Sequence, residues 1–315
     1  MLDAIDYRLL NSWQRGFPLV PRPFAEIAAA CVVDEAGVIA RFGRLRERGL
    51  IDRIGPVFRP NTAGASTLAA MAVPPERLAE VAAQVSAHAG VNHNYERESR
   101  INLWFVATAP APSALASTLA CIERETALPV LRLPLLEEFH IDLGFDLGNH
   151  SAPRAGRPRQ VRTLADAERA LAARLAPGLP FDPRPFAAFD LPENGLIDML
   201  QRWLDDGVVR RVGAVVRHRR LGYNANAMVV WNVPDTEAAD AGRRLATDPA
   251  VTLCYRRARA LPDWSYNLYC MVHGRERTEV ARDIERLRAC HGLGTYPHEV
   301  LFSRRCFSQR AARYA

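Results

Sequence analysis

The pattern of apolar and polar positions predicts one programme of elements, written twice. In Asp3-Ala4-Ile5-Asp6-Tyr7-Arg8-Leu9-Leu10 the apolar residues fall at helical spacing. After a turn rich in proline (Pro18, Pro21, Pro23), Phe24-Ala25-Glu26-Ile27-Ala28 starts a second helix. A third is predicted from about Asp34 to Arg48, with Val38, Ile39, Phe42 and Leu45 on one stripe and Gly49 as its C-cap. Leu50 to Phe58 then reads as a strand or wing, which makes a winged helix-turn-helix. Ser66 to Val73 follows as a strand, and a helix starts at Pro74 and runs to about Ala87. Val91 to Glu98 and Asn102 to Thr108 are strands, Ser113 to Thr126 a helix, and Val130 to Phe145 a last strand. That order, β-α-β-β-α-β, is ferredoxin-like.

The programme then restarts. Pro183-Arg184-Pro185-Phe186 repeats Pro21-Arg22-Pro23-Phe24, Gly207 to Gly213 repeats Gly49 to Gly55, and Asn267-Leu268-Tyr269 repeats Asn102-Leu103-Trp104. The fold class is therefore α+β, an internally duplicated winged helix-turn-helix plus ferredoxin-like domain. The domains predicted are 1–62 and 163–220 for the helix-turn-helices, and 63–148 and 221–315 for the ferredoxin-like units. Residues 149–162, with four Arg and two Pro, form the linker. A duplication of this size makes a pseudo-dimer within one chain.

Composition narrows the chemistry. All 41 basic residues are arginine, against 35 carboxylates, for a net charge of +6. Schiff-base catalysis and a Walker P-loop both need lysine, so both are excluded. What remains is a supply of planar forks for carboxylate or phosphate. The six cysteines are scattered with no C-x-x-C pair, which predicts free thiols and no zinc site. No apolar run spans a bilayer and the first residues lack a secretory pattern, so a cytoplasmic protein without a membrane segment is expected.

A helix-turn-helix raises the question of DNA. The first predicted recognition helix carries Arg41, Arg44, Arg46 and Arg48. The second sets Glu193, Asp198, Asp205 and Asp206 against Arg202. An anionic helix repels the phosphate backbone that supplies non-specific affinity. DNA binding is therefore not the expected activity, and the motif reads as scaffold and interface.

The strand Val91-Asn92-His93-Asn94-Tyr95-Glu96-Arg97 carries the candidate chemistry. Period-two alternation puts Val91, His93, Tyr95 and Arg97 on one face, each about 7 Å from the next. The other face is wholly polar, so the His-Tyr-Arg face should meet a ligand or a partner sheet. The second copy, Val251-Thr252-Leu253-Cys254-Tyr255-Arg256-Arg257, keeps Tyr255 and Arg257 but has Leu253 in place of His93.

The element order resembles the Lrp/AsnC regulators, whose second domain binds small effectors. Longer stretches are more specific: His93 to Arg97, Asn102-Leu103-Trp104-Phe105, Glu137 to Phe145, Leu253 to Arg257 and Pro297 to Ser303. These are similar to the siroheme decarboxylases of haem d1 biosynthesis, in the form where two related subunits are fused. The resemblance implies removal of two acetate carboxyl groups from siroheme as CO₂, without oxidation, to give didecarboxysiroheme. It implies no added cofactor, since the iron belongs to the substrate. It also implies further homo-oligomers or complexes with paralogous subunits. The alternative is an Lrp/AsnC-like regulator that binds DNA and a tetrapyrrole effector.

Siroheme is a flat, apolar macrocycle with eight carboxylates, so its site needs apolar walls and several guanidinium forks. Losing CO₂ from a pyrrole acetate leaves a carbanion-like carbon unless the ring is protonated first, and a histidine near neutral pKa suits that task. His93 is assigned as this acid, Tyr95 as its orienting phenol and Arg97 as a carboxylate holder. Arg217 and Arg219, within Arg217-His218-Arg219-Arg220, are expected to bind substrate, with Tyr255 and Arg257 in the second copy. His140 and His298, on or near the last strand of each half, are candidates for a second acid or axial iron ligand. One productive site per chain is expected, in the first half.

Overall fold

The computed structural model describes residues 2–141 and 162–312. The expected strand end at 142–145 and the linker up to 161 lie outside the described residues. The first three helices are α1 (Ala4–Ser12), α2 (Pro23–Cys31) and α3 (Glu35–Glu47). Asp3 and Asp34 cap α1 and α3 by accepting from the backbone amides of Asp6 at 2.8 Å and Gly37 at 2.6 Å. Gly49 ends the third helix at φ +68°, a conformation that side chains disfavour. The wing is β1 (Ile51–Phe58).

The second helix-turn-helix departs from the first. It has α6 (Asp166–Leu175), α7 (Glu193–Asp205) and the wing β7 (Val209–Val216). Its middle helix shrinks to one 3₁₀ turn, Pro185–Ala188. Glu35 follows Pro23 by twelve positions but Glu193 follows Pro185 by only eight, and Pro192 disfavours helical backbone at Leu191 just before it, which leaves room for a single turn. The two wings pair with each other as an antiparallel ladder centred on Gly55 and Gly213. A Cβ at Gly213 would collide with the backbone carbonyls of Trp13 and Gln14, so only glycine fits this crossing. Both units share one core, in which Phe181 of the second touches Phe24 and Phe42 of the first and Trp203 touches Phe58.

Each ferredoxin-like unit is complete. The first has β2 (Ala65–Met71), α4 (Leu78–Ala87), β3 (Val91–Arg97), β4 (Leu103–Ala109), α5 (Pro112–Thr126) and a last strand that Pro134 splits into β5 (Leu131–Leu133) and β6 (Leu135–Ile141). The second has β8 (Ala225–Trp231), α8 (Asp235–Leu245), β9 (Val251–Arg257), β10 (Leu268–Gly274), α9 (Arg277–Cys290) and β11 (His298–Gln309). One detail shows how closely the halves correspond. The Asn102 amide bonds both backbone groups of Val73, and the Asn267 amide does the same to Val233.

The halves exchange strands. The order is β5-β2-β4-β3-β11-β8-β10-β9-β6. The start of β11 pairs with β8 of its own half and its end with β3 of the other. Likewise β5 pairs with β2, whereas β6 crosses to β9. The two ends of the order, β5 and β6, are separated only by Pro134, so the sheet closes on itself. Helices cover its outside, and the interior is packed by residues of both halves, among them Leu68, Trp104, Met228, Tyr255, Tyr269 and Leu301.

Candidate active site

Strand β3 does not hold all four expected residues on one face. A register shift between Val91 and His93 turns Val91 into the helix-covered core of the first half. His93, Tyr95 and Arg97 face the interior. The polar face behind them is not a solvent face. The Asn94 amide is buried under α4 and donates to the Ala82 carbonyl at 3.1 Å and the Ser86 hydroxyl at 3.0 Å. Helix α4 presents small residues there, which lets the Asn94 amide nitrogen reach its two acceptors, while Oδ1 of Asn94 and of Asn92 is buried without a partner among the described residues.

The first interior group joins both halves. The rings of His93 and Tyr95 lie 6.4 Å apart. The guanidiniums of Arg97 and Arg219 lie 5.8 Å and 5.7 Å from the Tyr95 ring. Arg219 comes from the turn after β7, which also brings His218, and His218 stacks edge-on at 5.0 Å from His273 of β10. His93 and His218 are close enough for protonation of one to oppose that of the other. Burial pushes His93 and His218 down to about 4 and His273 well below the ordinary range. Burial thus holds all three imidazoles neutral at pH 7, below the near-neutral range expected for the acid.

Among the described residues, Arg97 and Arg219 have no carboxylate partner. Arg97 is 8% exposed and donates only to the Leu301 carbonyl at 3.0 Å and towards the Met271 sulfur at 3.9 Å. Burial lowers its pKa to about 10. Nε and Nη2 of Arg219 and Nδ1 of His93 are buried without hydrogen-bond partners among the described residues. Buried cations without anions are costly, so the arrangement is chemically suited to anions. Burial also raises the Tyr95 pKa, which keeps it a phenol and a hydrogen-bond donor. Arg217, expected beside Arg219, is instead taken up by Asp52 at 2.7 Å.

The second interior group is the pseudo-symmetric counterpart, and it is closed. Arg257 stacks 4.6 Å over Tyr255 and donates to the Leu133 carbonyl at 2.7 Å, as Arg97 does to Leu301. Tyr255 stacks on Tyr269 at 5.7 Å. The repeat sets Leu253, Pro60 and Thr108 where the first group has His93, His218 and His273. Opposite Tyr255 stands Glu138, which pairs with Arg210 and lies 3.7 Å from Arg59. At the corresponding place opposite Tyr95 stands Cys306. The second group therefore carries its own carboxylate.

His140 and His298 are not brought to either interior group. His140 pairs across the ladder with Cys254, whose thiol lies in the helix-covered core. His298 pairs with Trp231 of that same core and feels Arg288 and Glu285 of α9. His218 and His273 gave no local signal as site residues. The repeat did hold one, since each histidine faces a non-histidine in the other copy, as His93 does.

The arrangement defines a class: a fused pair of AsnC-like units enclosing a group of buried histidines and arginines. Residues 63–140 and 220–308 match the AsnC-like ligand binding domain, and residues 6–51 match the siroheme decarboxylase NirDL-like HTH domain. The siroheme decarboxylase NirDL subunit of Paracoccus denitrificans is 47% identical over 100% of this chain and 98% of its own. The NirD subunit of Stutzerimonas stutzeri is 48% identical over 48% of this chain and 99% of its own, so a half exists elsewhere as a protein. The crystal structure of a siroheme decarboxylase NirDL in complex with an iron-uroporphyrin III analogue has TM-score 0.68 at 26% identity, covering 99% of this chain and 94% of that one. The chain belongs to the siroheme decarboxylase family and is a carboxy-lyase.

Proposed function

We propose that this chain decarboxylates two acetate side chains of siroheme at the first interior group, giving didecarboxysiroheme for haem d1 synthesis. One observation carries the placement. Three imidazoles and two guanidiniums without carboxylates gather at one of two pseudo-equivalent places, while Glu138 fills the other. Arg97 and Arg219 hold carboxylates of the substrate, and the Tyr95 phenol donates to one of them. In each cycle the bond from CH₂ to the carboxylate breaks, CO₂ leaves, and its electron pair takes one proton to form CH₃. The balance needs one proton and no oxidant, so no cofactor is required beyond the iron the substrate brings.

His93 is the proton carrier in this reading. Burial holds it neutral, and an arriving carboxylate raises its pKa by favouring the imidazolium. Substrate thus loads the acid that acts on it. His218 and His273, held neutral, offer lone pairs to the substrate iron. The pseudo-dimer supplies within one chain the pairing for which half-length relatives use separate subunits.

A DNA-reading function is disfavoured. Arg41 is tied to Asp3 at 2.6 Å and Asp6 at 2.7 Å, Arg46 lies 4.3 Å over Phe181, and both wings are spent on each other. The test is anaerobic incubation of His93→Ala and Leu253→His with siroheme, with products read by mass. His93→Ala should lose at least 100-fold in rate, and Leu253→His should leave it within about threefold. Unchanged double loss of CO₂ in His93→Ala would sink the assignment.

A further inference from the structure

Three arginines stand outside this machinery and have no carboxylate partner among the described residues: Arg48, Arg220 and Arg275. With Leu2, Tyr7, Leu50 and Leu221 they line a cavity of about 320 Å³. Arg275 is steadied by Tyr223, whose ring lies 5.1 Å from its guanidinium. Three like charges around one concavity repel each other unless an anion joins them. The repeat sharpens the point. The corresponding positions in the other half are Asp206, Thr62 and Pro110, none of them a cation. The basic pocket therefore exists once, as the histidine group does.

The two are joined by short pieces of chain. The turn that sends His218 and Arg219 inward continues as Arg220 and Leu221 into the pocket. Arg275 follows His273 by two residues at the end of β10, and the turn is fixed to β1 by the Arg217 amide on the Leu50 carbonyl at 2.9 Å. The volume lies at the lower limit of about 300–1,000 Å³ for a drug-sized ligand, so the pocket takes an edge of a macrocycle rather than the whole. Its leucines and guanidiniums match a pyrrole edge bearing carboxylates.

We propose that this pocket is an outer carboxylate site. It grips acid side chains that the reaction leaves intact and so decides which acetates reach His93. The proposal rests on the reading of the first interior group as the reactive one.

The test uses the full chain and two iron porphyrins as probes, iron uroporphyrin with eight carboxylates and iron protoporphyrin with two, titrated by absorbance. In the Arg48→Gln, Arg220→Gln, Arg275→Gln triple variant the octacarboxylate Kd should rise at least tenfold and its dependence on salt should flatten. The dicarboxylate Kd should stay within twofold. With saturating siroheme the triple variant should accumulate singly decarboxylated or misplaced products. Placing Lys at all three positions (Arg48→Lys, Arg220→Lys, Arg275→Lys) should keep most of the affinity. Unchanged octacarboxylate affinity, or equal weakening for both porphyrins, overturns the proposal. Failure of the reactive-group reading shows as turnover retained in His93→Ala, and failure of the outer pocket shows as octacarboxylate affinity unchanged in the triple variant, so the two are distinguishable.

Discussion

A histidine whose burial outweighs the pull of the Asp52 carboxylate resists protonation, and that contributes to the acid side of this protein's stability. Unfolded, His93 and His218 titrate near 6.5; folded, near 4. Between those values the unfolded chain binds protons that the folded chain excludes. Stability from this source is complete above about pH 6.5 and is lost as pH falls towards 4. Denaturant midpoints of the unliganded protein should therefore drop between pH 7.5 and 5. His93→Leu, which copies the residue at Leu253, should shrink that drop, and an equal drop in both proteins would contradict the neutral, buried state of His93.

At the scale of elements, the tightest requirement is where the wings cross. Gly213 of β7 has no room for a Cβ against the carbonyls of Trp13 and Gln14. Gly213→Ala should cost about 1–3 kcal/mol, as overpacking does. Gly43, inside α3, meets nothing within 4 Å, and Gly43→Ala should stabilise by about 0.5–1 kcal/mol through helix propensity. Chemical denaturation of both variants checks the pair, and a tolerated Gly213→Ala would show that the Trp13–Gln14 segment is free to move off β7. The same scale explains which expectations survived. Helix ends such as Asp34 and Gly49 were legible because caps are local. The shrunken middle helix of the second helix-turn-helix was readable only from the shorter spacing to Pro192.

Across the whole molecule, the strand exchange makes the halves one body. β11 serves β8 and β3, and β5 and β6 are likewise divided between halves. The interior residues Trp104, Met228, Tyr255 and Tyr269 come from both. Neither unit can lose its last strand without opening the other, so calorimetry should show a single transition with equal calorimetric and van't Hoff enthalpies. Two resolved transitions would mean that the ferredoxin-like units unfold separately.

Periodicity, caps and an internal repeat are written along the chain, so the sequence alone determined the fold class, the duplication and the contrast between His93 and Leu253. Proximity across the interior is not written there. Tertiary structure decided that His218 and His273 of the second half join His93 of the first, that Arg217 goes to Asp52 rather than to the interior, and that His140 and His298 belong to ladders with helix-covered residues. The physical reason is that period two predicts only alternation. A register shift beside His93 resets that alternation, and exchange of the last strands decides which half faces which.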